Sequence, residues 1–545
     1  MTDAPELVRE LERTDPVSTT NGPVRGYRDG GLSIFKGLRY GAPPLGALRF
    51  APPERPSPWR EPADALTLGA PAIQVGVAPG DTTGGRSAGD PPAPGQPGTN
   101  EDCLFLNVWT PGLTGNRPVM VWLHGGGYAN GSGGAAMYDG EALARRGDVV
   151  IVTVNHRLNV FGYLHLGDLG GHPSSGEAGM LDIVQALAWV RDNIARFGGD
   201  PGCVTIFGES GGGMKVSLLM AMPAAKGLFH RAIIQSGPGL RAASREQATK
   251  NAKALLANLG LGEGEAAKLQ TLSTAQVQEA AAKVNGGQPM GGFGPCVDGI
   301  ALPRDPFTPY APAISKDVPV LIGTNKDEAT LFLFADPRFG EYTEEDLAKR
   351  AKQAAGDKAE SLVAELRRTF ADYSPSHLTA AVQTATGMWS GSITLAERKA
   401  AQAKASGGAP AYMYLLEWET TAARGKLRAP HALEIPLVFD NVGKSVSFMG
   451  RDNPQQLAEQ MSEAWLAFAR TGDPNTPALP DWPAYDAEHR ATMVYNHETR
   501  VVEDPNAGVR RILQGSGPFS REGEGRHSYS SSASSAKLAS QCSPM

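Results

Sequence analysis

The sequence predicts an α/β fold, in which a mostly parallel central sheet carries helices on both of its faces. Two uninterrupted apolar runs, at residues 118–123 and 149–154, are typical of strands that are buried on both sides. A helix is predicted at residues 179–197, where apolar side chains recur at helical spacing. Strand and helix patterns alternate along the rest of the chain, and this alternation indicates a parallel sheet with crossover helices.

Shorter apolar runs predict further strands, and helical stretches separate the later ones. The two largest of these stretches, residues 244–284 and 341–405, are interpreted as insertions that form a cap and shape a pocket. For the first of them, simple helical decoration of the sheet is an equally good interpretation. The further core strands are expected at residues 204–207, 232–235, 318–322, 412–416 and 492–495.

The chain of 545 residues is expected to form one α/β domain over residues 21–515. Residues 1–20 are polar and acidic and are interpreted as a leader. Residues 516–545 are rich in Ser, Gly and Arg and are interpreted as a disordered tail. A segment rich in Gly, Pro, Asp and Ser at residues 77–100 is interpreted as a surface loop.

Composition and charge exclude several classes of function. Apolar residues make up 41% and charged residues 20% of the chain, which is ordinary for a globular protein with a large core. The net charge is −6 and the pI about 6.0, without a basic stripe, so we expect no nucleic-acid partner. No apolar run reaches the roughly 18 residues that a spanning helix needs, and residues 1–20 lack the apolar segment of a signal peptide.

The chain contains four cysteines, Cys103, Cys203, Cys296 and Cys542, which lie far apart in the sequence. Their spacing is not that of a metal site. Such sparse use of cysteine is typical of a reducing compartment, and we therefore expect a cytoplasmic location.

The segment Gly208-Glu209-Ser210-Gly211-Gly212 has the G-x-S-x-G spacing of a nucleophile elbow. A predicted strand precedes it and an apolar helix follows it, so the serine would stand on a sharp strand-to-helix turn. That turn needs glycine neighbours, because the strained backbone and the close approach of strand and helix leave no room for Cβ atoms. Because the chain contains 66 glycines, the alternative to an elbow is an ordinary glycine-rich turn with a solvated serine.

The segment His124-Gly125-Gly126-Gly127 directly follows the predicted strand at 118–123. Consecutive glycines after a strand allow backbone N–H groups to turn toward a ligand, as an oxyanion hole requires. Together with the elbow, the segment matches the HGGG arrangement used with a nucleophilic serine. The expected donors are the N–H groups of Gly126, Gly127 and Gly211.

A serine nucleophile needs a base and an acid, which follow it in this architecture in the order acid, then histidine. His431 lies in a loop after the predicted strand at 412–416, where a base at the sheet edge belongs. Asp327 and Glu328 both follow the predicted strand at 318–322, and the residues alone do not choose between them. The other histidines well beyond the serine are His377, His489, His497 and, in the predicted tail, His527.

Several segments together make the sequence resemble the type B carboxylesterases, of the bacterial type, which share the α/β-hydrolase fold with the cholinesterases. The resemblance covers about residues 22–495. Its segments lie at residues 35–44, 101–111, 155–163, 197–201, 203–213, 235–237, 325–328, 431–435 and 469–474.

The resemblance implies an α/β-hydrolase that cleaves carboxylic esters of small molecules through an acyl-enzyme. It implies Ser210 as nucleophile, His431 as base and Glu328 rather than Asp327 as acid, with the oxyanion hole as above. No cofactor or metal is needed, and we expect a monomer or weak homo-oligomer. Activity should fall below about pH 6 as the histidine protonates. An amide, carbamate or lactone hydrolase with the same triad is the main alternative, and a non-catalytic binding relative is the other.

The sequence departs from the family in three places. Cys103 lacks the upstream cysteine to which its counterpart is usually bonded. Gly211 stands where the family usually has alanine. Lys215 occupies a helix position that is usually small, and we expect its side chain to snorkel to solvent; an effect on the site is the alternative.

Overall fold

The computed structural model describes residues 11–75, 97–284 and 292–514. The predicted tail, most of the predicted loop at 77–100 and the first half of the predicted leader lie outside the described residues. The rest of the leader contributes two short strands. The described strands are β1 Glu12–Arg13, β2 Val17–Ser18, β3 Pro23–Arg25, β4 Tyr27–Asp29, β5 Leu32–Arg39, β6 Ala63–Asp64, β7 Phe105–Thr110, β8 Arg117–Leu123, β9 Val150–Val154, β10 Gly199–Glu209, β11 Arg231–Gln235, β12 Ala243–Ser244, β13 Cys296–Val297, β14 Val320–Asn325, β15 Ala411–Leu416, β16 Ala491–Tyr495 and β17 Arg500–Glu503.

A central sheet organises the molecule, with the strand order β1-β4-β5-β7-β9-β8-β10-β11-β14-β15-β16-β17. From β9 to β16 every neighbouring pair is parallel, whereas the outer pairs are antiparallel. The carboxyl ends of β8, β10, β11, β14 and β15 therefore lie along one edge, which is where parallel sheets bind ligands. The prediction of a mostly parallel sheet is confirmed.

Helices cover both faces of the sheet, and alternate residues of each strand enter two separate cores. The described helices are α1 Glu141–Gly147, α2 Asn159–Tyr163, α3 Ala178–Asn193, α4 Gly211–Leu219, α5 Arg245–Asn258, α6 Thr274–Ala282, α7 Thr330–Leu333, α8 Glu344–Ala355, α9 Ala359–Thr369, α10 Pro375–Thr384, α11 Ser390–Ser406, α12 Glu434–Val438, α13 Val446–Met449, α14 Gln455–Thr471 and α15 Ala507–Gln514. On β8, Val119 and Val121 belong to the core that includes α3, α4 and α11, whereas Met120 and Trp122 belong to the core that includes α1, α12 and α14.

The strand β14 differs from its predicted bounds of 318–322. It begins at Val320, after Pro319, and continues to Asn325. Gly323 and Asn325 are weak strand formers, but they pair in register with β15. Tertiary pairing therefore outweighs local propensity and extends the strand toward its acidic turn.

The second predicted insertion supplies α8 to α11, and a π-helical turn at Ala385–Trp389 joins α10 to α11. It reaches the loop that follows β14: the hydroxyl of Tyr373 donates to Asp327 at 2.6 Å, and the Ala329 N–H donates to Thr384 at 3.1 Å. These bonds anchor the insertion beside the carboxyl edge of the sheet, as the cap interpretation expects. The first insertion, with α5 and α6, packs instead against α2 in a separate apolar cluster.

Candidate active site

Ser210 stands at the turn between β10 and α4 with φ 56° and ψ −122°. A serine in this region is strained, which is the backbone state expected of a nucleophile elbow. The Ser210 N–H donates to Gln235 O at 2.9 Å, so the neighbouring strand β11 holds the turn. A Cβ on Gly212 would lie 1.9 Å from Leu123 O, which explains why the residue two after the serine has no side chain.

His431 and Glu328 are in direct contact at the carboxyl edge. His431 Nδ1 lies 2.5 Å from Glu328 Oε2, and both side chains are buried. The other oxygen of Glu328 accepts from the Asn325 N–H at 2.7 Å and from the Ser236 hydroxyl at 2.6 Å. Because a carboxylate only accepts, Nδ1 carries the proton, and the tautomer that leaves Nε2 free as a base is fixed.

Asp327 faces away from the histidine although it is the sequence neighbour of Glu328. It accepts from the Tyr373 hydroxyl and, at 3.2 Å, from the Ala429 N–H. Burial raises the pKa of Asp327 to about 6, with Lys326 and these hydrogen bonds opposing the shift. Of the two carboxylates that the sequence left open, the structure brings only Glu328 to His431.

The Nε2 atom of His431 lies 3.0 Å from Glu209 Oε1. The two groups are not oriented for a hydrogen bond, so both buried atoms lack a hydrogen-bond partner. In the described structure Ser210 Oγ makes no hydrogen bond to His431. An unpartnered buried nitrogen beside a nucleophile elbow suits a group that acts on a bound substrate, since catalytic hydrogen bonds often tighten only in the substrate complex.

The surroundings of His431 favour its protonated form. Burial alone would lower its pKa, but the negative charges of Glu209 and Glu328 and the hydrogen bond to Glu328 outweigh burial, and the pKa is raised well above 6.5. Burial in turn raises the pKa of Glu209. Burial, Glu209 and Glu328 together raise the pKa of Glu434 to about 8. An imidazolium formed here would be stabilised by two adjacent carboxyl groups.

The glycine segment after β8 lies against the start of α4. A Cβ on Gly211 would lie 2.3 Å from Gly127 O and 2.6 Å from Gly127 N, so the two backbones are in close contact. The backbone N–H group of Gly127 is therefore close to Gly211, the residue that follows Ser210. This is the arrangement that an oxyanion hole requires.

Lys215 contradicts the expectation that its side chain reaches solvent. The residue is fully buried, and its Nζ donates to His124 O at 3.0 Å and to Gly127 O at 2.9 Å. The reason is the position of α4, which packs on β8, β10 and β11 and leaves this face of the helix no route to water. The lysine instead solvates its ammonium with backbone carbonyls.

The comparisons with known proteins agree with this geometry. A family model described as the carboxylesterase family matches residues 13–510. The chain belongs to the carboxylesterase family.

Individual relatives are similar to this carboxylesterase over most of its length. The para-nitrobenzyl esterase of Bacillus subtilis is 36% identical over 508 residues, covering 91% of this chain and 98% of the relative. The phenmedipham hydrolase of Pseudarthrobacter oxydans is 33% identical, covering 92% and 97%. A solved carboxylesterase of Geobacillus stearothermophilus superposes with a TM-score of 0.78 at 36% identity, over 92% of this chain and all of that one.

The α/β-hydrolase fold and the hydrolysis of carboxylic esters follow for this carboxylesterase from these relatives. In the described residues, no group of three or more His, Cys, Asp and Glu side chains is arranged to hold a metal ion. No helix in that same part of the chain has both the length and the apolar character needed to cross a membrane.

Sequence reasoning missed several polar residues that surround the histidine of this carboxylesterase. Glu209 is an acidic residue at the end of the buried half of β10, and that mismatch could have identified it. Glu434 is held by Asn325 at 2.6 Å and by Gln235 at 3.3 Å, which no sequence pattern reveals. Ser236 likewise joins the site only because β11 lies between β10 and β14.

Proposed function

We propose that this carboxylesterase acts through a Ser210-His431-Glu328 triad and an acyl-enzyme. Ser210 Oγ attacks the ester carbonyl while His431 Nε2 takes its proton, and Glu328 holds the imidazole and stabilises its charge. The backbone N–H groups of Gly126, Gly127 and Gly211 stabilise the oxyanion of the tetrahedral intermediate. The same nitrogen then protonates the leaving alcohol, and a water molecule, deprotonated by His431, releases the carboxylic acid.

The observation that carries this proposal is the short contact between His431 Nδ1 and Glu328 Oε2, with Nε2 unpartnered on the side of the elbow. A small movement of the serine side chain or the imidazole on substrate binding would complete the triad. Glu209 then becomes a second anion beside the imidazolium, which favours the proton transfer from Ser210.

The nucleophile is tested with p-nitrophenyl esters from acetate to palmitate. The Ser210→Ala variant should lose roughly 10⁴- to 10⁶-fold in kcat, as when a triad serine is removed. The wild-type chain-length optimum would measure the acyl pocket. A folded variant that keeps wild-type turnover would remove Ser210 from the proposal.

The acid is tested by a matched pair of neighbouring carboxylates. Glu328→Gln should lower kcat by roughly 10³- to 10⁴-fold, because an amide no longer fixes the tautomer of His431. Asp327→Asn, equally buried but bonded to Tyr373 and Ala429, should lower kcat far less. The assignment fails if the asparagine variant is the more damaged of the two.

A carbamate hydrolase is a second candidate, and the similarity to a phenmedipham hydrolase favours it. The same triad would carry out the reaction, since the leaving group is selected by the pocket rather than by the triad. Comparison of kcat/KM for p-nitrobenzyl esters, aryl carbamates and phenmedipham decides between the two. A preference for carbamates would make ester hydrolysis the secondary activity.

We also propose a cytoplasmic enzyme that is a monomer or a weak homo-oligomer. Cys103, Cys203 and Cys296 have free thiols, as a reducing compartment maintains. Few large apolar side chains are exposed among the described residues, namely Leu11, Leu45, Ile300, Tyr310 and Val446. Fractionation of the native host and size-exclusion chromatography test both statements, and a secreted protein or a tight oligomer would contradict them.

A further inference from the structure

Lys215 lies on α4 one turn beyond Ser210, and its ammonium is enclosed between the helix and the glycine segment after β8. Its Nζ donates to His124 O and Gly127 O, and it lies 5.6 Å from the centre of the Tyr128 ring. A buried lysine is costly unless its charge is needed or well solvated. Its place at the site therefore calls for a functional explanation.

The two carbonyls that Lys215 binds flank the proposed oxyanion donors. His124 O and Gly127 O belong to the first and the last of four successive peptide units. The two inner units carry the N–H groups of Gly126 and Gly127, and their carbonyls are anchored by other groups. Gly125 O lies 2.9 Å from His124 Nδ1, and Gly126 O accepts from the Ala129 and Asn130 N–H groups at 3.2 and 3.1 Å.

We propose that Lys215 is a positioning residue of the oxyanion hole, whose ammonium fixes the outer peptide units of the glycine segment and places a positive charge behind its donors. The inference rests on the proposed function, because it takes the N–H groups of Gly126 and Gly127 to be the donors. Each of the four peptide units then has an anchor, so the N–H groups stay aimed without reorganisation during the reaction.

Burial and the neighbouring charges set the protonation states of Lys215 and of the two histidines near it. Burial lowers the pKa of Lys215 to about 7, and the charge of Glu209 opposes that shift. Burial and the lysine charge lower the pKa of His124 to about 3 and that of His156 well below 6.5, so both of these stacked imidazoles are neutral. An oxyanion beside the ammonium would favour its protonated form in the transition state.

The experiment compares two buried lysines. Lys399 on α11 is also fully buried, and its Nζ donates to Ser315 O at 3.1 Å and Lys316 O at 2.7 Å, near the amino end of β14 and away from the site. Burial lowers its pKa too, to about 8. Lys215→Gln, Lys215→Met and the same two substitutions at Lys399 are assayed for kcat, KM and melting temperature.

We expect both Lys215 variants to lose about 10- to 100-fold in kcat, somewhat less than the removal of a whole donor, with KM changed by less than about threefold. The Lys399 variants should lose stability but keep kcat. Glutamine fills the space with a polar group, so Lys215→Gln remains informative if the methionine variant does not fold. An unchanged kcat in either folded Lys215 variant, or a loss confined to KM, would overturn the proposal.

A trifluoromethyl ketone supplies a readout that general loosening of the fold would not move. Ser210 Oγ adds to the ketone carbon, its proton passes to His431, and the alkoxide occupies the oxyanion position. Its inhibition constant should rise in the Lys215 variants by about the factor lost in kcat/KM, as expected of a transition-state analogue. Unchanged inhibition would overturn the inference while Ser210→Ala still tests the triad, so the two failures remain distinguishable.

Discussion

At the scale of single residues, His431 is the most informative side chain, because each of its two ring nitrogens lies beside a different carboxyl group. Glu328 binds Nδ1 and fixes the tautomer, whereas Glu209 lies against Nε2. This arrangement stabilises the imidazolium that the reaction forms. The same arrangement also holds a larger fraction of the free enzyme in the protonated, inactive state near neutral pH.

The pH dependence of kcat/KM should therefore differ from the sequence-based expectation. Activity requires neutral His431, whose pKa is raised above 6.5, so activity should fall as the pH drops through a midpoint above 6.5 rather than below about pH 6. Glu209→Gln removes one of the two raising charges and should move the midpoint to lower pH. An activity midpoint near 6 or below in the wild type would contradict this reading.

Most residues of the site could be identified as candidates from the sequence, but the directions of their side chains could not. Asp327 and Glu328 are adjacent in the chain. The turn after β14 directs Asp327 toward Tyr373 and Glu328 toward His431, and the sequence does not show this difference. The wrong expectation for Lys215 has a similar cause. A long basic side chain normally escapes to solvent, and only the packing of α4 on three strands shows that it cannot.

At the scale of elements, the contact between α4 and the glycine segment after β8 decides how the site is assembled. Lys215 binds the segment from one side, and Gly211 makes room for Gly127 on the other. Gly211 and Lys215, where the family resemblance leads us to expect other residues, thus meet the same glycine segment. The close approach of the two backbones leaves no space for a Cβ at position 211.

The substitution Gly211→Ala tests this contact. The Cβ of the alanine would meet Gly127 O at 2.3 Å, so the glycine segment must shift. We expect kcat to fall by about 10-fold or more, since displaced donors stabilise the oxyanion less. Gly264→Ala, at an exposed position with open space around it, is the control. Wild-type activity in Gly211→Ala would show that the segment adapts without loss.

At the scale of the whole molecule, the alternation of strands and helices was sufficient to predict the fold, because strands buried on both sides leave long apolar runs. Exact bounds were less accessible, as β14 shows, since its last residues gain their place from pairing with β15. Ion pairs between residues far apart in the chain could not be predicted from the sequence. The buried pair of Arg157 and Asp182 is one, joining the loop after β9 to α3.

This pair should matter for stability far more than a surface pair of the same length. Both pairs measure 2.6 Å, but the Arg157 and Asp182 side chains are 3% and 0% exposed, against 57% and 22% for Arg338 and Asp346. Arg157→Met leaves a buried carboxylate without its partner and should cost about 3–5 kcal/mol, whereas Arg338→Met should cost far less. Urea unfolding measures both, and equal losses would refute the distinction.

The order of the site residues along the chain has a consequence for the synthesis of the enzyme. The glycine segment leaves the ribosome early, the nucleophile next, and His431 only after β15 has been synthesised. Since domains fold as units while synthesis proceeds from the N-terminus, a nascent chain that ends before the histidine has a serine without its base. Hydrolytic activity is therefore expected only after His431 has been synthesised, and an incomplete chain that ends before this residue would not hydrolyse esters.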